Sequence, residues 1–411
     1  MKILNIDQFI QWFVGFTEAE GCFKIKPRYR EGKFISFQFE FEIHLHIDDL
    51  TLLNLIKETL KIGNVYANGS RNSCSFVVGS EKQLRELIKI LDSFPLNGIK
   101  YLDFLDFKEA FLLYFNRNKV ISEDLQKKLL KLKEGINKGR VDFILPPNHQ
   151  INITGYWLAG LIDGEGSFSM TRGSRLRLCF QLLFTAAQKP LLEAIKMYLM
   201  DNLGFDRFSL WKLANSSDIG IFDFKAKGNS RPTVCLEIRN VHLLQNYLIP
   251  FLSNYTLLSK KSLDFEDFKV LCQTIHKGGH KNNLIRELLI KLSLRMNDFR
   301  LSTYKGDLKS NSLTNEEFTK LLSAPTELPL ANDVVYLILA DDNQEELLVK
   351  SLKEASEIVG LHFSTLSKLI ERNSSPSLRE KNPQNSFASS KEIKHKNYTV
   401  KRIPVFCKAS V

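Results

Sequence analysis

The stretch Leu158-Ala159-Gly160-Leu161-Ile162-Asp163-Gly164-Glu165-Gly166, followed at once by Ser167-Phe168, decides how the rest of the chain is read. A degenerate copy lies near the amino end, as Phe13-Val14-Gly15-Phe16-Thr17-Glu18-Ala19-Glu20-Gly21 followed by Cys22-Phe23. Each copy reads as an amphipathic helix that ends in an acid and a glycine. Asp7 and Thr154 are the expected N-caps, Trp12 and Trp157 stand just before the two copies, and Gly21 or Gly166 gives a permissive carboxyl-terminal position. Gly15 and the pair Ala159-Gly160 lack the bulk that would hold two packed helices apart.

The two acids are the anomaly. A carboxylate in the last turn of a helix sits at the negative end of the macrodipole, which costs a few tenths to about 1 kcal/mol. Two such ends side by side would add repulsion between Glu20 and Glu165. A divalent cation between them removes both penalties, and hard oxygen ligands suit Mg²⁺. One copy alone reads equally as a helix that happens to end in an acid. Two copies with the same Trp, Gly, acid, Gly, Phe order do not.

On these residues the chain resembles the single-chain, two-repeat LAGLIDADG homing endonucleases. The second copy departs from the family's name-giving string only at Gly164 and Glu165, and Glu for Asp keeps the ligand chemistry. The resemblance spans roughly residues 5 to 300. It implies an α+β fold of two pseudo-symmetric αββαββα half-domains with antiparallel saddle sheets, a monomeric pseudo-dimer on double-stranded DNA. The implied activity is site-specific cleavage of both strands. Glu20 and Glu165 would hold the metal with the carbonyls of Ala19 and Gly164, using Mg²⁺, with Mn²⁺ as an alternative and Ca²⁺ as a substitute that does not support cutting.

A second, independent repeat supports two halves. Lys100-Tyr101-Leu102-Asp103-Phe104-Leu105-Asp106-Phe107 returns as Lys261-Ser262-Leu263-Asp264-Phe265-Glu266-Asp267-Phe268. A lysine at a helix start is ordinarily just solvated. In the resembled family a lysine here lies near the cleavage centre, where it stabilises phosphate charge or polarises water, so the resemblance makes Lys100 and Lys261 catalytic.

The chain has 411 residues, 44 % of them hydrophobic, enough for two or three domains. The formal charge of +11 points to an anionic partner, with nucleic acid the default. Six cysteines show no C-x-x-C pairing and read as reduced and structural. No run of eighteen apolar residues argues for a membrane span. Met1-Lys2-Ile3-Leu4-Asn5 runs straight into the first motif helix, leaving no room for an import signal. In a family commonly encoded within organellar introns, this fits a protein made inside a mitochondrion.

After the first motif, alternation puts Phe23, Ile25 and Tyr29 on one face of a strand and Lys24, Lys26, Arg28 and Arg30 on the other. The next strand, 34–47, sets Phe37, Phe39, Phe41 and Ile43 against Gln38, Glu40, Glu42, His44 and His46. In isolation this is a half-exposed antiparallel sheet with a solvated face; beside the motif it reads as a DNA-facing ribbon. His44-x-His46 has metal-pair spacing, but such a pair on a strand is more often polar surface. In the second half Ser167, Ser169, Thr171, Arg175, Arg177 and Gln181 form the polar face. Two different polar faces imply a non-palindromic target.

The sequence divides as a first half (1–117), a linker with a basic helix (118–153), a second half (154–300), a further linker (301–332) expected to be polar and loosely ordered, and a small module (333–411). The segment 215–232 reads as an inserted loop or long hairpin tip, and His276-Lys277-Gly278-Gly279-His280 as a basic loop that contacts phosphate or solvent. In the tail, Ser351-Leu352-Lys353-Glu354 is a capping box that opens a short helix, and Gly360-Leu361-His362 turns into a second. This is similar to the helix-turn-helix units appended to homing endonucleases, with Ser364, Thr365, Ser367 and Lys368 facing the groove. Many relatives carry a glutamine late in the second strand of each half; Leu45 and Phe184 stand at the comparable positions, which would alter the shell around the catalytic water. Two other readings remain open on the sequence: a maturase acting on its own intron RNA, and a DNA-binding regulator without catalysis.

Overall fold

The computed structural model describes residues 4–117, 121–228, 230–305, 313–327, 330–340, 345–372 and 391–407. Helix α1 (Ile6–Glu20) leads into strands β1 (Gly21–Arg30) and β2 (Lys33–His46), helix α2 (Leu50–Leu60), strands β3 (Asn64–Asn68) and β4 (Ser73–Val78), and helices α3 (Glu81–Ser93), α4 (Lys100–Phe115) and α5 (Glu123–Gly135). The plan then repeats: α6 (Gly155–Glu165), β5 (Gly166–Arg172), β6 (Leu176–Thr185), α7 (Lys189–Asn202), α8 (Arg207–Ala214), β7 (Ile219–Phe224) and β8 (Thr233–Ile238). A bent helix follows, made of α9 (Val241–Leu243), a π turn and α10 (Ile249–Leu252), and then α11 (Lys261–His276), α12 (Asn283–Ser293) and α13 (Asn315–Leu322). The tail holds β9 (Val334–Ala340), β10 (Glu346–Val349), α14 (Leu352–Val359), α15 (Phe363–Arg372), β11 (Lys391–His395) and β12 (Tyr398–Pro404).

Both halves carry a four-stranded antiparallel sheet in the same order, β1-β2-β4-β3 and β5-β6-β8-β7. The period-2 alternation explains the layering. Phe23, Ile25, Phe37, Phe39, Phe41 and Ile43 are all buried against helices on one face, and the polar residues between them stay on the other. Aromatic rings fill this core, with Phe23 tilted against Phe41, Phe104 and Phe107. Tyr29 departs from the expected core row. A register shift between Arg28 and Tyr29 turns it out, 55 % exposed, edge-on to Phe34.

Several local expectations are corrected. The cap of α1 is Asn5, not Asp7: Asn5 and Gln8 form a reciprocal capping box. Thr154 caps α6 as expected, accepting from Trp157 N at 3.2 Å. Gly21 and Gly166 are extended rather than left-handed, and are required because a Cβ would lie 2.7–2.9 Å from neighbouring atoms of Thr17, Phe41 and Ile162. Of the two readings of 215–232, an inserted loop or a long hairpin tip, the hairpin holds: the segment contains β7, an edge strand of the second sheet, paired antiparallel with β8. The segment 301–332 is not uniformly loose: α13 is held by its own capping box, by buried Leu321 and by Glu317 against Lys291 at 2.8 Å. His276 and Gly279 are packed rather than solvated, and the ring of His276 meets that of His242 at 5.0 Å.

The helix in 118–153 packs as part of the first half. Leu129 and Ile136 are buried, and Asn137 donates to the carbonyl of Phe23 at 2.7 Å. Its counterpart in the second half is α12, after which Asn297 donates to Phe168 O at 2.8 Å. Arg140 reaches Asp103 and Asp106, and Arg300 reaches Asp264 and Asp267. These paired clasps extend the repeat beyond the motif helices.

In the tail, a third antiparallel sheet of order β10-β9-β12-β11 supports α14 and α15, which meet at Gly360 with φ +71. Leu366 and Ile370 face this sheet's core, while Thr365 and Lys368 are exposed and Ser364 and Ser367 half-buried. The unit is anchored to the second half. Val405 and Phe406 are fully buried in the main core, and Phe406 N donates to Ser209 Oγ at 3.0 Å.

Candidate active site at the paired helix ends

Helices α1 and α6 pack so closely that their backbones touch. A Cβ on Gly15 would lie 1.9 Å from the carbonyl oxygen of Trp157, and one on Gly160 would lie 1.9 Å from that of Trp12. The contact continues to the ends, where a Cβ on Gly164 would meet Ala19 Cβ at 2.3 Å and Glu20 Cγ at 3.3 Å. The small residues of the motif thus bring the two helix ends together, close enough for Glu20 to act on Glu165.

Each acid faces into a cavity built from both halves. One, of about 540 Å³, is lined by Glu20 with Gly164 and Lys261, and also by His44, Leu45, Asp49 and Lys260. The other, of about 490 Å³, is lined by Glu165 with Ala19 and Lys100, and also by Leu183, Phe184 and Arg231. Leu45 lines the first cavity and Phe184 the second, and the strand registers make the two positions equivalent.

The electrostatics are those of crowded like charges. Burial raises the carboxyl of Glu20 above its ordinary value, against the pull of Lys100 and Lys261. Burial, then repulsion from Glu20, raises Glu165. Burial lowers Lys261 despite its acidic neighbours. Lys261 Nζ donates to Gly164 O at 2.8 Å and to Gly166 O; Lys100 Nζ donates to Ala19 O at 3.3 Å and to Gly21 O. Both lysines are thereby fixed against the carbonyl ends of the motif helices, which favour cations.

Sequence reading missed the acids that place those lysines. Asp163 is buried and accepts from Leu258 N, Ser259 N and Ser259 Oγ at 2.6–3.1 Å, just before Lys261. Its equivalent, Glu18, is buried and accepts from Asn97 N at 2.8 Å, just before Lys100. The signal was the acid-x-acid spacing inside each motif, Glu18-x-Glu20 and Asp163-x-Glu165. Asp49 stands at the start of α2, but its carboxylate makes no cap and instead meets Lys260 at 3.1 Å across the halves.

The expected row of free cations is paired across the sheet. Lys24 meets Glu42, Lys26 meets Glu40 and Arg28 meets Gln38, so each cation has an acceptor on β2. Arg30 lies at the exposed tip. His44 Nδ1 bonds Ser75 Oγ at 2.7 Å, and His46 Nε2 bonds Thr303 Oγ1 at 3.0 Å, so the two imidazoles are engaged separately rather than as a metal pair. On the second sheet Ser167, Ser169 and Gln181 are half-buried, and Thr171, Arg175 and Arg177 are exposed.

Among the described residues no group of three or more His, Cys, Asp or Glu side chains could hold a metal. The oxygen donors at the helix ends are two carboxylates and two carbonyls, a set that fits a hard cation whose remaining ligands come from water and substrate. Among the described residues no helix is long and apolar enough to cross a membrane.

The family model for LAGLIDADG endonuclease matches residues 13–111 and 158–272. A probable intron-encoded endonuclease, Cox1-I1b, of Schizosaccharomyces pombe is 33 % identical over 288 residues, 69 % of either chain. An uncharacterized mitochondrial protein, RF1, of Saccharomyces cerevisiae is 27 % identical over 307 residues, 72 % of this chain and 61 % of that protein. The fold is similar to that of the I-SmaMI LAGLIDADG homing endonuclease bound to cleaved DNA, with TM-score 0.60 and 23 % identity over 73 % of this chain and 99 % of that one.

Proposed function

The chain belongs to the LAGLIDADG endonuclease family, and on that footing we propose that it is a homing endonuclease that hydrolyses both strands of a long, non-palindromic DNA target with Mg²⁺. The observation that carries this reading is the convergence of the two motif-helix ends at glycine, where Glu20 acts on Glu165 by repulsion and each acid shares a cavity with one immobilised lysine.

Glu20 and Glu165, with the carbonyls of Ala19 and Gly164, would hold the cation. When bound, it supplies an activated water and stabilises charge at the phosphate. Lys100 and Lys261 add fixed positive charge facing the scissile phosphates, and because their ammonium groups are already bonded they need no reorganisation. A bound divalent cation would offset the repulsion that Glu20 exerts on Glu165.

The polar faces of the two sheets bind the duplex. Lys24 and Lys26 exchange Glu42 and Glu40 for phosphates, which frees those carboxylates to accept from cytosine amino groups. In the tail, Ser364, Thr365, Ser367 and Lys368 on α15 extend the footprint as a helix-turn-helix contact, because this helix presents them away from its buried Leu366 and Ile370. We place the protein in a mitochondrion, in keeping with the relatives. A maturase or purely binding role on this scaffold does not require both acids and both lysines, and is not favoured.

The test starts from a target selected out of a randomised duplex library with the E20Q/E165Q protein in Ca²⁺. Wild type should cut it in Mg²⁺ and bind without cutting in Ca²⁺, while E20Q/E165Q binds without cutting in either. Equal cutting by the variant would overturn the assignment.

A further inference from the structure

The two sheets differ in chemistry in the row next to the catalytic centre. In β1 and β2 Gly21 pairs with Ile43, and in β5 and β6 Gly166 pairs with Leu182, so the next residues, His44 and Leu183, occupy equivalent positions. Following the ladder outward gives His44, Ser75 and Tyr66 in the first half and Leu183, Cys235 and Phe222 in the second. The first row is a chain of hydrogen-bonding groups, with His44 bonded to Ser75 at 2.7 Å. The second carries no hydroxyl, amide or charge.

This apolar row lies on the sheet's polar, open face. Leu183 is 43 % exposed, Phe222 39 % and Phe224, two residues on along the same face, 47 %. Cys235 is buried between its neighbours. The ring of Phe222 is set in place over Gly220, where a Cβ would lie 2.4 Å from it. Leu183 also lines the cavity that holds Glu165 and Lys100, so the row begins at the catalytic centre and runs outward along the face that meets the duplex.

We propose that this row reads thymine methyl groups in the major groove, which makes the half-site under the second sheet thymine-rich beside the cleavage centre. The proposal rests on the DNA-cleaving reading above. An apolar side chain gains nothing from phosphate or from base donors and acceptors; the C5 methyl of thymine is the one apolar feature the groove offers. The equivalent positions of the first sheet call instead for bases that hydrogen-bond.

The experiment uses full-length E20Q/E165Q protein in Ca²⁺ and the selected target. Each thymine is replaced in turn by deoxyuridine, which removes the methyl and keeps the pairing. Affinity should fall on the order of 4-fold per contacted methyl, and only in the half that faces the second sheet. In the L183A/F222A background the same replacements should cost nothing there, with an unchanged thermal midpoint showing that the fold is intact. Equal sensitivity in the two half-sites, or methyl sensitivity retained in L183A/F222A, would overturn the proposal. Concentration-dependent dimerisation abolished by L183N/F222N would reassign the row to a second copy of this chain. Recovery of no target at all, or no Mg²⁺-dependent cutting by wild type, would overturn the nuclease reading itself.

Discussion

The indole Nε1 of Trp12 donates to Asp163 Oδ2 at 2.8 Å, so a side chain of the first motif helix satisfies a buried carboxylate of the second. The bond crosses the boundary between the halves, and its acceptor stands two residues before Glu165. Its pseudo-symmetric counterpart is missing: among the described residues Trp157 Nε1 has no partner. Trp12→Phe should therefore cost about 1.5–3 kcal/mol, as a hydrogen bond to a buried charged group does, and Trp157→Phe clearly less. Urea midpoints of the two variants check the order.

Gly15→Ala tests the close approach of α1 and α6. Its Cβ would fall 1.9 Å from a backbone oxygen that cannot rotate away. The helices must separate, at roughly 1–3 kcal/mol of overpacking strain. Cutting should suffer more than stability, by about 10²-fold, because the acids move apart with the helices. Melting and single-turnover cleavage of the same sample compare the two effects.

The arginine clasps are repeated but not equal. Asp264 and Asp267 keep only 5 % of their side-chain surface exposed, whereas Asp103 and Asp106 keep 14 % and 29 %. Arg300→Ala leaves buried Asp264 without its arginine, while Asp267 keeps Arg295, and should cost about 3–5 kcal/mol. Arg140→Ala leaves acids that water can reach, so its loss in chemical denaturation should be visibly smaller.

Acid should weaken the second half through His276. Burial, with His242 and Lys277 nearby, holds its imidazole at about 4, below the ordinary 6.5. Between these values the unfolded chain binds the proton and the folded chain does not, so stability falls as pH drops from about 6.5 to about 4. Above 6.5 this group has no effect. The loss approaches roughly 3 kcal/mol, and denaturation of wild type and His276→Gln at pH 7 and pH 5 should show a shallower decline in the variant.

The motif helices, both sheets and the placing of Glu20, Glu165, Lys100 and Lys261 about the paired helix ends were legible because period, glycine and acid recur at fixed spacing. What escaped has physical causes. The sequence left 215–232 open between a loop and a hairpin because Ser, Gly and Asn surround the strand residues Ile219, Ile221 and Phe222 of β7. The helix in 118–153 looked like a solvated linker because only Leu129 of it is fully buried. Asp163 and Glu18 were passed over since their partners, the backbone at Leu258–Ser259 and Asn97, lie far along the chain. The pairing of Lys24 and Lys26 with Glu42 and Glu40 needed the strand register.

The central claim is that Glu20 and Glu165 act as one centre. Single-turnover cleavage of the selected target by E20Q, E165Q and E20Q/E165Q tests it most directly. Each single variant should lose nearly as much rate as the double, because groups that act as a unit are not additive. If either single variant cut both strands at the wild-type rate, the shared centre at the paired helix ends would be wrong.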